Sequence, residues 1–211
     1  MNYIGHQVVA RESHNGNNLN FLFGSMLPDL ARIAGTRSIL ALLADPDAQN
    51  GISFHRRTNK AFDTQPEIEA VEDEMKVAFR SYLPWRTAIQ ASHVSKDLLF
   101  DGYYMTDLTA LENVVEVLEY VLLNSHTLGQ NELPDSLKRV TQRICLQGPP
   151  DYLQPSIVSR ILIGVLAKTR TPIDGDVQPQ VFDTINSFQP QILSLGSTIT
   201  RRTITLMAQS A

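Results

Sequence analysis

Apolar positions recur at three- and four-residue steps along most of this chain, and no stretch alternates apolar with polar residues between hairpin turns. That spacing is the period of amphipathic helices, so the pattern predicts an all-α fold. The clearest run interleaves Ile68, Val71, Met75 and Phe79 with Glu67, Glu69, Glu72, Asp73, Glu74 and Lys76, one apolar stripe against one solvated face. Pro66 suits its first turn, where a missing N–H costs little, and Pro84 marks its end. A second helix is predicted from about Trp85 to Phe100. A third runs from Asp107 to Asn124, where Leu108, Leu111, Val114, Val115, Val117, Leu118, Val121 and Leu122 supply a broad apolar face. Residues 129–134 read as a connection, Asp135 to Leu146 as a short helix stopped by Gly148, Pro149 and Pro150, and Pro155 opens a helix through Ala167. Beyond the turn-rich residues 171–176 a last helical stretch runs toward the C-terminus, with a break expected near Pro190.

Composition narrows the function classes. A chain of 211 residues can bury one sizeable core, which predicts a single domain over residues 1–211, a helical bundle. A formal net charge of −4 supplies no overall basic field of the kind that holds nucleic acid, so nucleic acid is not an expected partner. The longest apolar runs, residues 38–44 and 161–167, fall far short of the roughly 20 residues that span a bilayer. Residues 1–6 lack the basic start and uninterrupted apolar stretch of a secretory signal. A soluble chain with no membrane partner is the expectation. Cys145 is the only cysteine, which excludes an intramolecular disulfide and a multi-cysteine zinc site and fits a reducing compartment; cytoplasmic localisation is expected.

Histidines and carboxylates concentrate in the first half of the chain, at spacings that let several converge inside a bundle. His6 lies in an apolar segment and reads either as a satisfied core histidine or as a ligand. Asp29 ends Gly24-Ser-Met-Leu-Pro-Asp29, where Pro28 biases the preceding residue to extended backbone, so Asp29 is equally a helix cap or a ligand. His55 and Asn59 lie four apart on one helical face, with Asp63 a further turn along. His93 and Asp97 form another pair four apart, a spacing that also serves ordinary helix stabilisation. Taken together, imidazoles and carboxylates in this mixture suit manganese, iron or zinc better than a calcium cage. Arg56 and Arg57 adjoin His55; guanidinium groups match phosphate oxygens, although either could instead pair with a carboxylate on a neighbouring helix.

These residues carry a resemblance. Met1 to His6 (Met-Asn-aromatic-x-x-His), Gly24 with Asp29, Gly-Ile-x-x-His-Arg at Gly51 to Arg56, Asp63 with Pro66, and Asp97 in the following helix resemble the acyl carrier protein phosphodiesterase family. That family is an atypical relative of the HD-type metal-dependent phosphohydrolases, and the motifs span about the first hundred residues. Asn59 stands where the family usually has an aspartate, His93 where it tends to have an aspartate, and Leu98 where a histidine commonly follows Asp97. The resemblance implies an HD-phosphohydrolase-like bundle with one or two divalent ions, manganese first and iron or zinc as alternatives. The ions would be held by His6, Asp29, His55 and Asp97, with Asp63 or His93 as further ligands. His55, Asp97, Arg56 and Arg57 would carry catalysis. The implied reaction releases 4'-phosphopantetheine from the serine of holo-acyl carrier protein. A phosphohydrolase acting on a nucleotide or other small phosphate ester is the nearest rival, and a non-catalytic helical binding module the rival of another class.

Overall fold

A computed structural model of the chain describes residues 1–36, 43–128, 133–168 and 176–209. Among them are nine α-helices and no strand: α1 Tyr3–Ala10, α2 Leu19–Ala34, α3 Pro46–Asp63, α4 Pro66–Arg80, α5 Trp85–Tyr104, α6 Leu108–Leu123, α7 Asp135–Gln147, α8 Pro155–Leu166 and α9 Gln178–Gln209. A π-helical turn, Arg11–Asn15, continues α1, and a 3-10 turn, Ser125–Thr127, follows α6. The all-α expectation is met. Most of the connection expected at 129–134, most of the turn-rich stretch at 171–176 and most of the apolar run at 38–44 lie outside the described residues.

The α4 stripe packs where its period places it: Ile68, Val71, Met75 and Phe79 are all buried. On α6, Val114, Val117, Leu118 and Val121 are buried, but Leu108 is exposed. It occupies the first turn, just past the Asp107 side chain that accepts from Thr109 N–H, and the apolar face turns inward only from Ala110.

Two expectations drawn from prolines are overturned. Pro190 lies inside an uninterrupted α9, and Pro28 lies inside α2, which puts Asp29 in mid-helix rather than at an N-cap. An interior proline removes one helical hydrogen bond and costs about 3 kcal/mol. Both helices are flanked on several sides, α9 by α3, α4, α5 and α8 and α2 by α1, α3, α6 and α7, and that packing outweighs the loss.

The elements that matter for the site are α1, α2, α3 and α5. A stripe of apolar residues buries one face of a helix; a helix buried all round lies at the centre of its bundle. Five consecutive residues of α1, Tyr3 to Gln7, and eight of α5, Ser95 to Gly102, are buried. Around them α2 and α3 make the most extensive helix pair. Gly24 and Gly51 meet at that crossing: a Cβ on Gly24 would collide with the Ala48 carbonyl, and one on Gly51 with the Phe21 carbonyl. The start of the pair is tied by Asn18, which caps α2 at Phe21 N–H and donates to Asp47, and by Asp45, which caps α3 at Ala48 N–H and accepts from Asn20. One apolar cluster runs through the assembly from Met1 to Met207.

Candidate metal centre

His6 from α1, Asp29 from α2 and His55 from α3 bring one ligand atom each to within 4.8 Å of one another, and all three residues are buried. The glycine crossing of α2 and α3 does the positioning, since Asp29 and His55 follow Gly24 and Gly51 by a little over one turn. The His6 and His55 rings stack with centroids 3.8 Å apart and planes inclined by 28°. Neither is charged at neutral pH. Burial, reinforced by the neighbouring His55, holds His6 well below the ordinary histidine range, and burial takes His55 down to about 4. The His55 Nδ1–H donates to the Ser25 carbonyl at 2.8 Å, which leaves the lone pair on Nε2; Asn59 Nδ2 donates to it at 3.1 Å. Asp29 Oδ1 accepts from Arg32 at 3.2 Å, and its Oδ2 lies 3.8 Å from His6 Nε2. Burial outweighs the guanidinium and pushes the Asp29 carboxyl up to about 7.

Both ring nitrogens of His6 and Oδ2 of Asp29 are buried without a hydrogen-bond partner. Leaving a buried polar atom unsatisfied costs about 1–3 kcal/mol, so three at one point need a chemical reason. Two imidazoles and a carboxylate, with the outer nitrogen of His55 fixed by a carbonyl, are the donor set of a manganese, iron or zinc site, and these residues fit a divalent cation.

Asp97 adjoins this trio from α5. Its Oδ1 is 2.9 Å from the Met1 amino group, its Oδ2 is 3.7 Å from His93 Nε2, and its charge is felt by both Asp29 and His55. Burial opposes its ionisation, but the Met1 amino group and Lys96 prevail and keep the carboxyl below the ordinary aspartate range. Behind it Asp101, also on α5, accepts from the backbone N–H groups of Asn2, Ile4 and Gly5 at 3.2–3.3 Å. These are first-turn donors of α1, which the Asn2 side chain does not cap. Burial pushes the Asp101 carboxyl up to about 8.

The structure separates the other expected ligands from the trio. Asp63 and His93 belong to a second, partly exposed group with Glu72, again with ligand atoms within 4.8 Å. Lys96, wholly buried, reaches into it with Nζ 2.7 Å from Asp63 Oδ1 and 2.8 Å from Glu72 Oε2. Burial alone would lower the lysine, but the carboxylates of Asp97 and Asp63 outweigh it and raise the ammonium above its ordinary range. His93 is raised as well, first by its hydrogen bond to Glu72. An open pocket of about 390 Å³, lined by Asp63, Glu69, Glu72, Asp73, Lys76 and His93, covers this group. Arg56 and Arg57 are on the exposed side of α3, Arg57 lying 5.9 Å over the Phe54 ring. The cation in contact with the buried trio is Arg32, whose side chain is 43% exposed and so can also meet a solute. Arg32, Glu72, Lys96 and Asp101 escaped sequence reasoning. Arg32 stands three residues after Asp29, a signal that counts only once Asp29 is inside a helix; Glu72 looks like one more solvated residue of α4.

Fold and site together define an all-helical protein with a buried group of two histidines and a carboxylate that could hold a metal ion. The sequence model of the acyl carrier protein phosphodiesterase family matches residues 1–192, and the chain belongs to that family, a family of phosphodiester hydrolases. The match extends far beyond the hundred or so residues in which the motifs are legible. No curated protein and no solved structure matches. Among the described residues no helix is long and apolar enough to cross a membrane.

Proposed function

We propose that the chain is a divalent-metal phosphodiesterase that cleaves the diester joining 4'-phosphopantetheine to the serine of holo-acyl carrier protein. Family membership supports the substrate. The observation that carries the metal is the trio of orphaned ligand atoms on His6 and Asp29 beside the His55 Nε2 lone pair. His6, Asp29 and His55 would hold the ion, with Asp97 adjoining; manganese is the first candidate, iron and zinc the alternatives. When bound, such an ion supplies Lewis acidity, acidifying water and offsetting the charge of the phosphodiester.

The chain's own groups do the rest. Ser25 fixes His55 in the tautomer that offers Nε2 to a cation. Asn59, which departs from the family's aspartate, contributes no charge here and donates to the same lone pair. Arg32 is held by Asp29 and partly exposed, and would donate to a non-bridging phosphate oxygen. Asp97, kept ionised, takes the proton of the attacking water at Oδ2. His93, whose Nε2 faces that oxygen at 3.7 Å and whose raised pKa favours the imidazolium, returns a proton to the departing serine oxygen. Water oxygen bonds to phosphorus, the P–O(serine) bond breaks, and phosphopantetheine leaves with the phosphate. Arg56 and Arg57, exposed on the helix that carries His55, are placed to meet phosphate oxygens or carboxylates of the docked carrier protein. The acid-lined pocket over Glu72 suits a bare phosphate poorly, so the phosphodiester approaches from the Arg32 side.

The test is the mass of holo-acyl carrier protein after incubation with the enzyme, with and without manganese. Conversion to the apo form should need the metal, and His55→Ala should abolish it while the helical circular dichroism stays unchanged. Turnover retained by His55→Ala would sink the assignment. Hydrolysis of a nucleotide or other small phosphate ester without conversion of the carrier protein would transfer it to a small-molecule phosphohydrolase.

A further inference from the structure

Two groups of metal-type ligands lie side by side in this molecule, and they differ in one respect. The His6–Asp29–His55 trio leaves buried ligand atoms without partners, whereas no side-chain atom of Asp63, Glu72 or His93 is both buried and unpartnered. Glu72 Oε2 and Asp63 Oδ1 accept from Lys96 Nζ, and Glu72 Oε1 faces Lys76 Nζ at 3.3 Å. The same ammonium lies 3.5 Å from His93 Nδ1 and 3.8 Å from Asp97 Oδ1. One positive centre thus stands among three carboxylates and an imidazole, the surroundings of a metal ion.

We propose that the Lys96 ammonium occupies the position of a second metal ion, so that the Asp63–Glu72–His93 group takes no divalent cation and the centre holds a single one at His6, Asp29 and His55. The inference rests on the metal reading above and goes beyond it by stating which of the two groups can be loaded. The lysine is not a side chain that can swing aside. Its stem is wholly buried, its Nζ lies 5.3 Å over the Phe62 ring, and it leaves α5 within the continuously buried stretch from Ser95 to Gly102. A divalent ion entering the pocket would meet a fixed positive charge and carboxylate oxygens already engaged by charge-assisted hydrogen bonds. A metal would have to displace an ammonium that Asp63 and Glu72 hold at 2.7 and 2.8 Å with Asp97 beside it at 3.8 Å. An ammonium also does what an ion there would do for Asp97, setting a positive charge beside it without providing exchangeable coordination positions.

The experiment is manganese content per chain after equilibrium dialysis against manganese alone, with circular dichroism recorded on the same samples. Wild type is expected to hold about one ion. Lys96→Met, which keeps the buried stem and removes the charge, is expected to hold about two, His55→Ala none, and the double variant about one. Two ions on the wild type, or no gain in a folded Lys96→Met, would overturn the proposal. Should Lys96→Met not fold, Asp63→Asn decides: unchanged manganese content supports the filled site, and loss of the ion overturns it. A wild type with no ion and a Lys96→Met with one would leave the lysine's role standing and remove the buried centre instead.

Discussion

The same physical quantity, burial, acts on neighbouring side chains with different results. It keeps His6 and His55 neutral and makes Asp29 reluctant to ionise, so the buried trio carries little charge of its own. Arg32, paired with Asp29 and partly exposed, is then the cation that the proposed phosphate site would use. Arg32→Ala removes a charge-assisted hydrogen bond worth about 1.5–3 kcal/mol. We expect a loss of roughly ten- to a hundredfold in kcat/KM on holo-acyl carrier protein, with part of it restored in Arg32→Lys. Steady-state kinetics on the three proteins would show it, and an unchanged Arg32→Ala would remove the residue from the phosphate site. Asp101 yields a prediction about pH. The folded protein keeps its proton up to about pH 8, whereas an unfolded chain gives it up near 4. Between those values the native state binds more protons than the unfolded one, so this contribution is fully present below about 4 and is lost as pH rises through about 8. The limiting slope for one proton is about 1.4 kcal/mol per pH unit. Asp101→Asn retains an acceptor for the first turn of α1 and cannot ionise. Its melting temperature should therefore gain on that of the wild type between about pH 5 and pH 9; a difference constant with pH would show that Asp101 does not titrate there.

Among elements, the α2–α3 crossing decides the site. Gly51→Ala would push a methyl group into the Phe21 carbonyl, and Gly24→Ala one into that of Ala48. Backbone cannot give as a side chain can, so we expect each to destabilise by about 1–3 kcal/mol or more, seen as a lower denaturant midpoint, and to weaken manganese binding by separating Asp29 from His55. An alanine tolerated at Gly51 with full metal affinity would refute that positioning role. The crossing also marks where sequence reasoning stopped. The stripes of α4 and α6 were readable because each is a property of one helix. So were the pairs His55–Asn59 and His93–Asp97, each in contact across one turn. Which face of one helix meets which face of another is not written in any single period. His6, Asp29 and His55 could be nominated as ligands, but that Asp63 and His93 gather instead with Glu72 around Lys96 follows from how α3, α4 and α5 pack, which no single helix records. Pro28 and Pro190 misled for a related reason, because a local penalty was read without the packing that overrides it.

At the scale of the whole molecule, a metal that binds only the folded chain stabilises it by mass action. At a hundredfold excess over Kd the gain is about 2.7 kcal/mol, which for a chain of this size raises Tm by roughly 5–10 °C. Manganese should shift the melting curve of the wild type in this way, chelation should reverse the shift, and His55→Ala should show none. An equal shift in His55→Ala would place the ion elsewhere.

The capping of α1 by Asp101 has a consequence in time as well as in space. An eight-residue helix is too short to persist alone in water, and this one receives the partners of its first amide groups from a residue nearly a hundred positions further along the chain. His6 is therefore presented in its final orientation only after α5 has been synthesised and has docked. Chain closure over so long a contour is slow compared with local helix formation, which makes assembly of the centre a late event in folding. A nascent chain that ends before Asp101 can already form the α2–α3 crossing that sets Asp29 beside His55, but it lacks the cap that holds α1, so His6 is the last of the three to be fixed.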